Sequence, residues 1–266
     1  MSARFFLATE WEADHAVLTD TEAHHLLHVL RVRIGSQLTL FDGSGLEFTA
    51  TVTRLGRSSV EVQRLTTQAV DRELSRVVVV GIALPKGERQ RWLIEKMVEL
   101  GVARCLPLRT ERGVAQPESG TLDKLRRTVI EASKQCGRNR LLEIAAPLDL
   151  HDFLHAAPPT ALRGLAHPAR LWRQALSGEA SGGTEAAARI GSQRDWFQSV
   201  VDAGSDREIW LALGPEGGFA DAEVVGAAAC GWNAVSLGAR IQRIETAALS
   251  LAALTAAACT PPEEMS

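Results

Sequence analysis

The residues with the clearest capacity for chemistry lie in a glycine-containing loop near the C-terminal end of the chain. Residues 213–219 read Leu-Gly-Pro-Glu-Gly-Gly-Phe and directly follow an apolar run. Glycines after a buried strand let the backbone approach a ligand closely, and open α/β sheets bind ligands at the carboxyl ends of their strands. The spacing matches neither a dinucleotide fingerprint nor a phosphate-binding loop. A tight turn that binds nothing is the alternative interpretation.

A second loop of the same kind spans residues 237–246. It begins with a glycine at the end of an apolar run, carries Arg240 and Arg243, and places Glu245 at the start of a helix. Two such loops at neighbouring strand ends would form one pocket. Solvated arginines and a carboxylate at the positive end of a helix are the alternative interpretation. Within the first loop, Glu216 would repel a pyrophosphate but accept hydrogen bonds from a ligand amine or hydroxyl.

Positive charge is concentrated in the middle of the chain, although the whole protein has a formal net charge of −3. Residues 86–143 contain thirteen Lys or Arg and eight Asp or Glu. This segregation indicates a face for a polyanion such as RNA, although cations at a helix C-terminus are also common without such a partner. The candidates for RNA contact are Arg4, Arg31, Arg33, Lys86, Arg89, Lys134, Arg138 and Arg140.

Histidine and cysteine positions give little support for a metal centre or an activated nucleophile. His24 and His28 have the spacing of two ligands on one helix face, but no third ligand is placed nearby. The four cysteines are far apart and form no C-x-x-C, which is typical of buried thiols in a reducing compartment. No Ser-His-Asp or Cys-His arrangement is recognisable. We therefore expect no metal.

Two patterns along the chain predict the elements that position these residues. Residues 1–72 hold short alternating strands and one helix over Glu22–Arg31, with helical spacing of Leu26, Val29 and Leu30, which predicts a small β-barrel. From residue 73 onward, apolar runs alternate with amphipathic helices, beginning with a β-branched run at 77–84. This alternation predicts an α/β domain with a mostly parallel sheet. Residues 169–207 lack a clear pattern and predict a partly flexible insertion.

Length and composition exclude several classes of protein. The chain has 266 residues, of which 45% are hydrophobic and 23% charged, which argues against disorder and a collagen-like fibre. Its longest apolar stretch, 247–259, is shorter than the roughly 20 residues that a membrane-spanning helix needs. The N-terminal residues lack the apolar core of a signal peptide. We therefore expect a cytoplasmic protein with no membrane segment.

The same motifs, in this order, resemble those of one known family. Gly-Pro-Glu-Gly-Gly followed by Arg-Ile-x-Arg-x-Glu-Thr-Ala is a specific combination, and the other matches span nearly the whole chain. The chain resembles the bacterial small-subunit ribosomal RNA (uracil-N3)-methyltransferases of the SPOUT class. The motifs that carry the resemblance are residues 4–6, 24–31, 86–102, 131–138, 213–219 and 237–247.

The resemblance implies a fold, a reaction and a set of binding residues. It implies a PUA-like RNA-binding barrel at 1–72 and, at 73–266, a SPOUT methyltransferase domain whose parallel sheet and helices contain a deep trefoil knot. It implies a homodimer that uses S-adenosylmethionine to methylate N3 of one uridine in 16S rRNA, near the decoding centre of the assembled small ribosomal subunit. The cofactor-binding residues that it implies are Leu165, His167, Leu213, Gly214, Glu216, Gly217, Gly218, Leu237, Gly238, Arg240, Ile241 and Arg243.

Methylation at uracil N3 needs a group that stabilises an anion and a base that takes the imide proton. Arg4 or Arg240 is the candidate for the first role, and Glu216 or Glu245 for the second. Three other functions stay open. A nucleotide-dependent oxidoreductase on a doubly wound sheet is disfavoured by the missing fingerprint. The others are a non-catalytic RNA-binding protein and a SPOUT methyltransferase that acts on another RNA site.

Overall fold

Two compact units make up the part of the chain that the structure describes. The structure is a computed structural model, and it describes residues 4–113, 119–177 and 190–260. The described residues of Met1–Glu73 and Ile130–Leu141 form the first unit, and those of Leu74–Val129 and Leu142–Ser266 form the second. The first unit therefore includes a segment from the middle of the chain, in addition to the N-terminal part that the sequence pattern set apart.

A five-stranded sheet dominates the first unit. Its strands are Arg4–Phe6 (β1), His15–Leu18 (β2), Gln37–Phe41 (β3), Leu46–Leu55 (β4) and Val60–Ala69 (β5). Their order is β1-β3-β4-β5-β2, with antiparallel pairing except between β1 and β3. Along β4, buried residues alternate with more exposed ones as the sequence alternation predicts. The buried side of this sheet includes Phe5, Leu40 and Phe48 in one apolar cluster.

The helix predicted over Glu22–Arg31 begins two residues earlier and is less regular than expected. Asp20–His24 (α1) leads into a single π-helical turn, His25–Val29. Asp20 and Arg31, on either side of this segment, both have φ of +51°, which residues other than glycine adopt uncommonly. The change of helical period leaves Leu26 buried but exposes 62% of Val29. Val29 therefore does not join the core as its spacing predicted.

Eight strands form the sheet of the second unit. They are Val78–Ile82 (β6), Arg104–Arg109 (β7), Glu143–Ile144 (β8), Leu148–Asp149 (β9), Leu162–Ala166 (β10), Ile190–Ser192 (β11), Ile209–Leu213 (β12) and Asn233–Ser236 (β13). The order is β11-β13-β10-β12-β6-β7-β8, and β9 also pairs with β7. Each pairing among these strands is parallel, which confirms the predicted α/β class. The adjacent strands β6 and β12 are buried along their whole length, as continuous apolar runs predict.

Helices connect most of these parallel strands. They are Glu88–Glu99 (α2), Ser119–Cys136 (α3), Leu150–Ala156 (α4), Ala169–Leu176 (α5), Gln193–Asp202 (α6), Asp221–Ala229 (α7) and Ile244–Cys259 (α8). The last of them, α8, begins directly after the second glycine-containing loop. The trefoil knot implied by the family resemblance stays a prediction.

Within 169–207, where the sequence predicts a partly flexible insertion, the described residues include two helices with buried side chains. Helix α5 buries Trp172, and α6 buries Trp196 and Val200. The indole of Trp196 donates a hydrogen bond to Thr255 Oγ1 of α8 at 3.0 Å, which fixes α6 on the second unit. Single tryptophans, rather than apolar runs, anchor these helices, so the sequence pattern was weak. Residues 178–189 lie outside the described residues, and they include all but the first residue of the linker-like sequence Ser177–Thr184.

Candidate active site

A cavity of about 300 Å³ lies at the carboxyl ends of three neighbouring strands of the second unit. Strands β13, β10 and β12 are adjacent in the parallel sheet, and the segments that follow them supply most of the cavity lining. This edge of an open α/β sheet is where ligands bind. The structure thus brings the two glycine-containing loops into one pocket, as their spacing predicted.

The loop after β12 comes close to the cavity because glycine occupies two demanding positions. Gly218 has φ of +68°, a conformation that glycine adopts at little cost. A Cβ atom on Gly214 would lie 3.1 Å from the ring of Phe219, tighter than an ordinary contact. The guanidinium of Arg112 then holds this loop, because its Nη1 donates to the carbonyl oxygens of Gly217 at 3.1 Å and Phe219 at 3.2 Å.

The loop after β13 combines an unusual backbone with a polar anchor. Gly238 has φ of +106°, and a Cβ atom there would meet nothing within 4 Å. The amides of Gln193 and Gln242 each donate to the carbonyl oxygen of Leu237 at 3.2 Å. Oε1 of Gln242 is buried and accepts no hydrogen bond from the described residues. Since a buried acceptor without a donor is destabilising, this oxygen is suited to a ligand N–H or O–H.

His167 is a buried titratable group that lines the cavity. It is 6% exposed, and its ring centroid lies 6.4 Å from that of Trp172 and 6.3 Å from that of Phe219. Burial lowers the pKa of His167 to about 4, since the charge of Asp221 only partly opposes the effect and that of Arg112 adds to it. The imidazole is therefore neutral at pH 7 and presents one donor and one acceptor nitrogen.

The low pKa of His167 predicts a loss of stability in acid. The unfolded chain protonates this group near its ordinary pKa of 6.5, whereas the folded chain does so only near pH 4. The free energy of unfolding therefore falls as the pH is lowered from about 6.5 towards 4. In urea denaturation at several pH values, His167→Gln should lack this part of the decline. An identical pH dependence in the variant and the wild-type protein would contradict a buried, neutral imidazole.

Two carboxylates and one guanidinium meet beside the cavity. Nη1 of Arg89 lies 3.5 Å from Oε1 of Glu216 and 3.6 Å from Oε1 of Glu245. Glu245 is 7% exposed, and its Oε2 has no hydrogen-bond partner among the described residues. In contrast, 57% of the Glu216 side chain is exposed. Glu245 is not among the residues that line the cavity, but its buried Oε2 lacks a donor, and Arg89 joins its carboxylate to that of the lining residue Glu216.

Most of the predicted cofactor residues line the cavity. These are His167, Leu213, Gly214, Glu216, Gly217, Gly218, Leu237, Gly238, Arg240 and Ile241. Leu165 and Arg243 are the exceptions. Leu165 is fully buried within β10, where it packs in the apolar core, and Arg243 is an exposed residue at the N-cap of α8. A residue beside a lining residue in sequence can thus face away from the cavity.

Sequence reasoning missed several residues that line the cavity. They include Arg112, Leu171, Phe219 and Gln242. Arg112 follows β7, which is two strands away from β12 in the sheet, so its approach to the loop depends on tertiary structure. Phe219 and Gln242 lie within or next to the loops that the sequence singled out, and a search of whole loops rather than single motif positions would have found them.

The two arginines considered for catalysis have different surroundings. Arg4 belongs to the first unit, where its guanidinium pairs with Glu47 and donates to Oδ1 of Asn139. Burial opposes ionisation of Glu47, but Arg4 and Arg72 outweigh this effect and lower the pKa of Glu47. The guanidinium of Arg4 is therefore engaged inside the first unit. Arg240, in contrast, is exposed and lines the cavity.

Three of the cations predicted to contact RNA are held in ion pairs of the first unit with at most 14% of the side chain exposed, namely Arg4, Lys134 and Arg138. Lys134 Nζ donates to Glu22 at 2.8 Å, with 11% of the side chain exposed. Arg138 is 4% exposed and donates from Nε and Nη2 to the Glu73 carboxylate. These side chains hold the fold instead of facing solvent, which corrects their assignment to an RNA-binding face. The predicted cations that are exposed are Arg31, Arg33, Lys86, Arg89 and Arg140.

The described residues contain neither a cluster of metal ligands nor a membrane-spanning helix. Within 4–113, 119–177 and 190–260, no three His, Cys, Asp or Glu side chains are grouped so that they could hold a metal ion. The rings of His24 and His28 lie close together, with centroids 4.7 Å apart, but they form no such group. In the same part of the chain, none of the helices has both the length and the apolar character to cross a membrane.

Comparisons with known proteins agree with this geometry. The family model for the RNA methyltransferase domain matches residues 72–256, and that for the RNA methyltransferase PUA domain matches residues 18–63. The ribosomal RNA small subunit methyltransferase E of Synechocystis sp. is 33% identical over 93% of this chain and 75% of the relative. The protein of the same name from Mycobacterium bovis is 31% identical over 88% of this chain and 82% of the relative.

Solved structures show a similar fold. The ribosomal RNA small subunit methyltransferase E of Neisseria gonorrhoeae, bound to S-adenosyl methionine, gives a TM-score of 0.78 at 28% identity, covering 95% of this chain and 96% of that one. A Legionella pneumophila protein described as a methyltransferase, in complex with SAM, gives a TM-score of 0.79 at 31% identity. The match covers 97% of this chain and 98% of that one. Fold and family match together define an RNA methyltransferase with a PUA domain. The chain belongs to the ribosomal RNA small subunit methyltransferase E family.

Proposed function

We propose that this protein transfers the methyl group of S-adenosylmethionine to N3 of a uridine in the 16S rRNA of the small ribosomal subunit. The observation that carries the proposal is the cavity at the carboxyl ends of β10, β12 and β13, which most of the predicted cofactor residues line. Two similar structures hold this cofactor. The choice of uracil N3 rests on the motif resemblance. Action as a homodimer, in the cytoplasm and on the assembled subunit, is part of the same proposal.

The groups around the cavity fit S-adenosylmethionine. The volume of about 300 Å³ is at the lower end of the roughly 300–1,000 Å³ typical of small-molecule pockets. Gly218 and Gly238 keep space open, because a Cβ atom on either would meet nothing within 4 Å. The free Oε1 of Gln242 and the neutral ring of His167 can pair with amine and hydroxyl groups. These residues, with Gly214 and Arg240, would hold the cofactor.

The reaction needs little more from the protein than alignment and removal of one proton. When bound, S-adenosylmethionine supplies an electrophilic methyl group. Alignment of the reacting groups can provide a large share of the rate, and the target base must leave its stack to reach a pocket. Glu245 is the proposed acceptor of the N3 proton, because its buried Oε2 has no partner among the described residues. Glu216 is the second candidate, although its greater exposure lets water satisfy it.

Exposed cations are the proposed contacts to RNA. In the first unit, which contains the PUA match, these are Arg31, Arg33 and Arg140. In the second unit they are Lys86 and Arg89. Contacts of this kind bind phosphates and make affinity fall as salt concentration rises.

Arg112→Ala is expected to weaken binding of S-adenosylhomocysteine about tenfold, which is roughly 1.4 kcal/mol. The variant loses the two hydrogen bonds that hold the carbonyl groups of Gly217 and Phe219, so the loop must be ordered when the ligand binds. Isothermal titration calorimetry measures the change. Arg109→Ala is the matched control, because Arg109 is an exposed arginine at the end of β7 that does not line the cavity. Wild-type affinity in Arg112→Ala would contradict the positioning role.

Calorimetric titration of the wild-type protein with S-adenosylhomocysteine, with NADH as the comparison, tests the cofactor assignment. We expect saturable binding of S-adenosylhomocysteine and none of NADH. Binding of NADH alone would contradict the proposal and favour an oxidoreductase. Binding of neither ligand would also count against it and would favour an RNA-binding protein without catalytic activity.

A further inference from the structure

A second cavity of about 230 Å³ adjoins the proposed cofactor cavity within the second unit. Pro215 and Glu216 line both cavities, so the two meet at the loop after β12. The second cavity also contains Lys86 and Arg89 at the start of α2. A group bound there would therefore lie next to the proposed cofactor and in contact with cations.

The lining of this second cavity favours a flat polar ring over a phosphate. Ala83, Leu84 and Pro85, which follow β6, supply a buried apolar wall. The carboxylate of Glu216 lies in the same lining as Lys86 and Arg89 and would repel a phosphate. A nucleobase has an apolar face for such a wall and polar edge atoms for the charged residues. The chemistry of the lining thus suits the nucleobase that is modified.

Arg89 is the residue best placed to act on that base. Its Nη1 lies between Glu216 and Glu245, but at 3.5 and 3.6 Å it makes ion pairs and no hydrogen bond among the described residues. The two carboxylates orient the guanidinium, while its N–H groups stay able to donate to a ligand. A guanidinium offers several donors in a fixed plane and stays charged at any pH used for assay.

We propose that the second cavity receives the uracil that is methylated, and that Arg89 donates hydrogen bonds to a uracil carbonyl oxygen whose negative charge grows as N3 loses its proton. The inference rests on the proposed function and names a catalytic residue for it. The N3–H bond breaks and its proton passes to the Glu245 carboxylate, which is not part of the lining but lies 3.6 Å from Nη1 of Arg89 at the edge of this cavity. The electron pair left on N3 forms the new N–CH3 bond, and the pair of the broken S–CH3 bond stays on sulfur.

This inference gives Arg89 the role that the sequence left open between Arg4 and Arg240. Arg4 is engaged by Glu47 and Asn139 in the first unit. Arg240 lines the proposed cofactor cavity but not the second cavity. Arg89 lines the second cavity and contacts both candidate bases.

The test compares Arg89→Gln with Arg91→Gln, an exposed arginine of the same helix that lines neither cavity. Methyl transfer to unmethylated small ribosomal subunits is measured with the full chain. Arg89→Gln should lower kcat about 10²-fold, as loss of one donor to a developing oxyanion does, without a matching rise in KM. Its affinity for S-adenosylhomocysteine should equal that of the wild-type protein, which also shows that the variant is folded. The kcat of Arg89→Lys should lie between the values of Arg89→Gln and the wild-type protein.

The pH dependence separates charge stabilisation from a merely structural role. The imide of uracil ionises in alkaline solution without help from the protein. The kcat of Arg89→Gln should therefore approach that of the wild-type protein as the pH is raised. A deficit that is equal at every pH would overturn the inference, as would a wild-type kcat. A rise in KM with unchanged kcat would also overturn it and would indicate a phosphate contact instead. Absence of methyl transfer by the wild-type protein would refute the proposed function, and the inference with it.

Discussion

Glu245→Gln should lower kcat for methyl transfer by about 10²–10⁴-fold, the usual contribution of a positioned general base. The carboxylate is 7% exposed, and its Oε2 has no hydrogen-bond partner among the described residues. The amide keeps the size of the side chain but cannot accept the N3 proton. Single-turnover methylation of small ribosomal subunits measures the effect on the chemical step directly.

Two comparisons make the Glu245→Gln result specific. Glu143→Gln changes an exposed carboxylate of the same unit that is not paired with Arg89, and it should keep the wild-type rate. Glu216→Gln should reduce the rate less than Glu245→Gln, because 57% of the Glu216 side chain is exposed. If Glu216→Gln abolished methyl transfer while Glu245→Gln did not, the two carboxylates would have to exchange roles.

Arg138→Gln should lower the free energy of unfolding of the first unit by about 3–5 kcal/mol, the usual cost of breaking a buried ion pair. Arg138 is 4% exposed and donates from Nε and Nη2 to Glu73. The substitution leaves the carboxylate of Glu73, which is 18% exposed, without its guanidinium partner. Urea denaturation of the full chain measures the change.

Two further variants separate the effect of Arg138 on stability from an effect on RNA binding. Arg138→Gln combined with Glu73→Gln should recover part of the lost stability, because no unpaired charge is then buried. Arg33→Gln changes an exposed cation of the same unit and should weaken RNA binding while leaving stability unchanged. An Arg138→Gln protein as stable as the wild type, but with weaker RNA binding, would restore the original assignment of Arg138 to the RNA-binding face.

Much of the second unit could be predicted from local sequence. Continuous apolar runs occur where a strand is buried on both faces, and this pattern located β6 and β12 correctly. The glycines at 214 and 218 mark backbone that must turn tightly at a strand end, so the position of the cavity followed from their spacing. The sheet order did not follow, because hydrophobic patterning specifies burial but not which strands are neighbours.

What the sequence could not supply were the partners of charged residues. A cation count cannot separate Arg138, which is buried against Glu73, from the exposed Arg33. In the same way, Arg89 was predicted only as an RNA contact, whereas the fold places it between Glu216 and Glu245. These pairings join distant parts of the chain, so they exist only once the tertiary structure has formed.

The most direct test of the central claim is mass spectrometry of nucleosides from small ribosomal subunits. Subunits that lack the modification are incubated with the purified protein and S-adenosylmethionine, and their 16S rRNA is then digested and analysed. We expect stoichiometric N3-methyluridine that is absent when the protein is omitted. A methyl group on another atom or another base, or no methyl transfer at all, would contradict it.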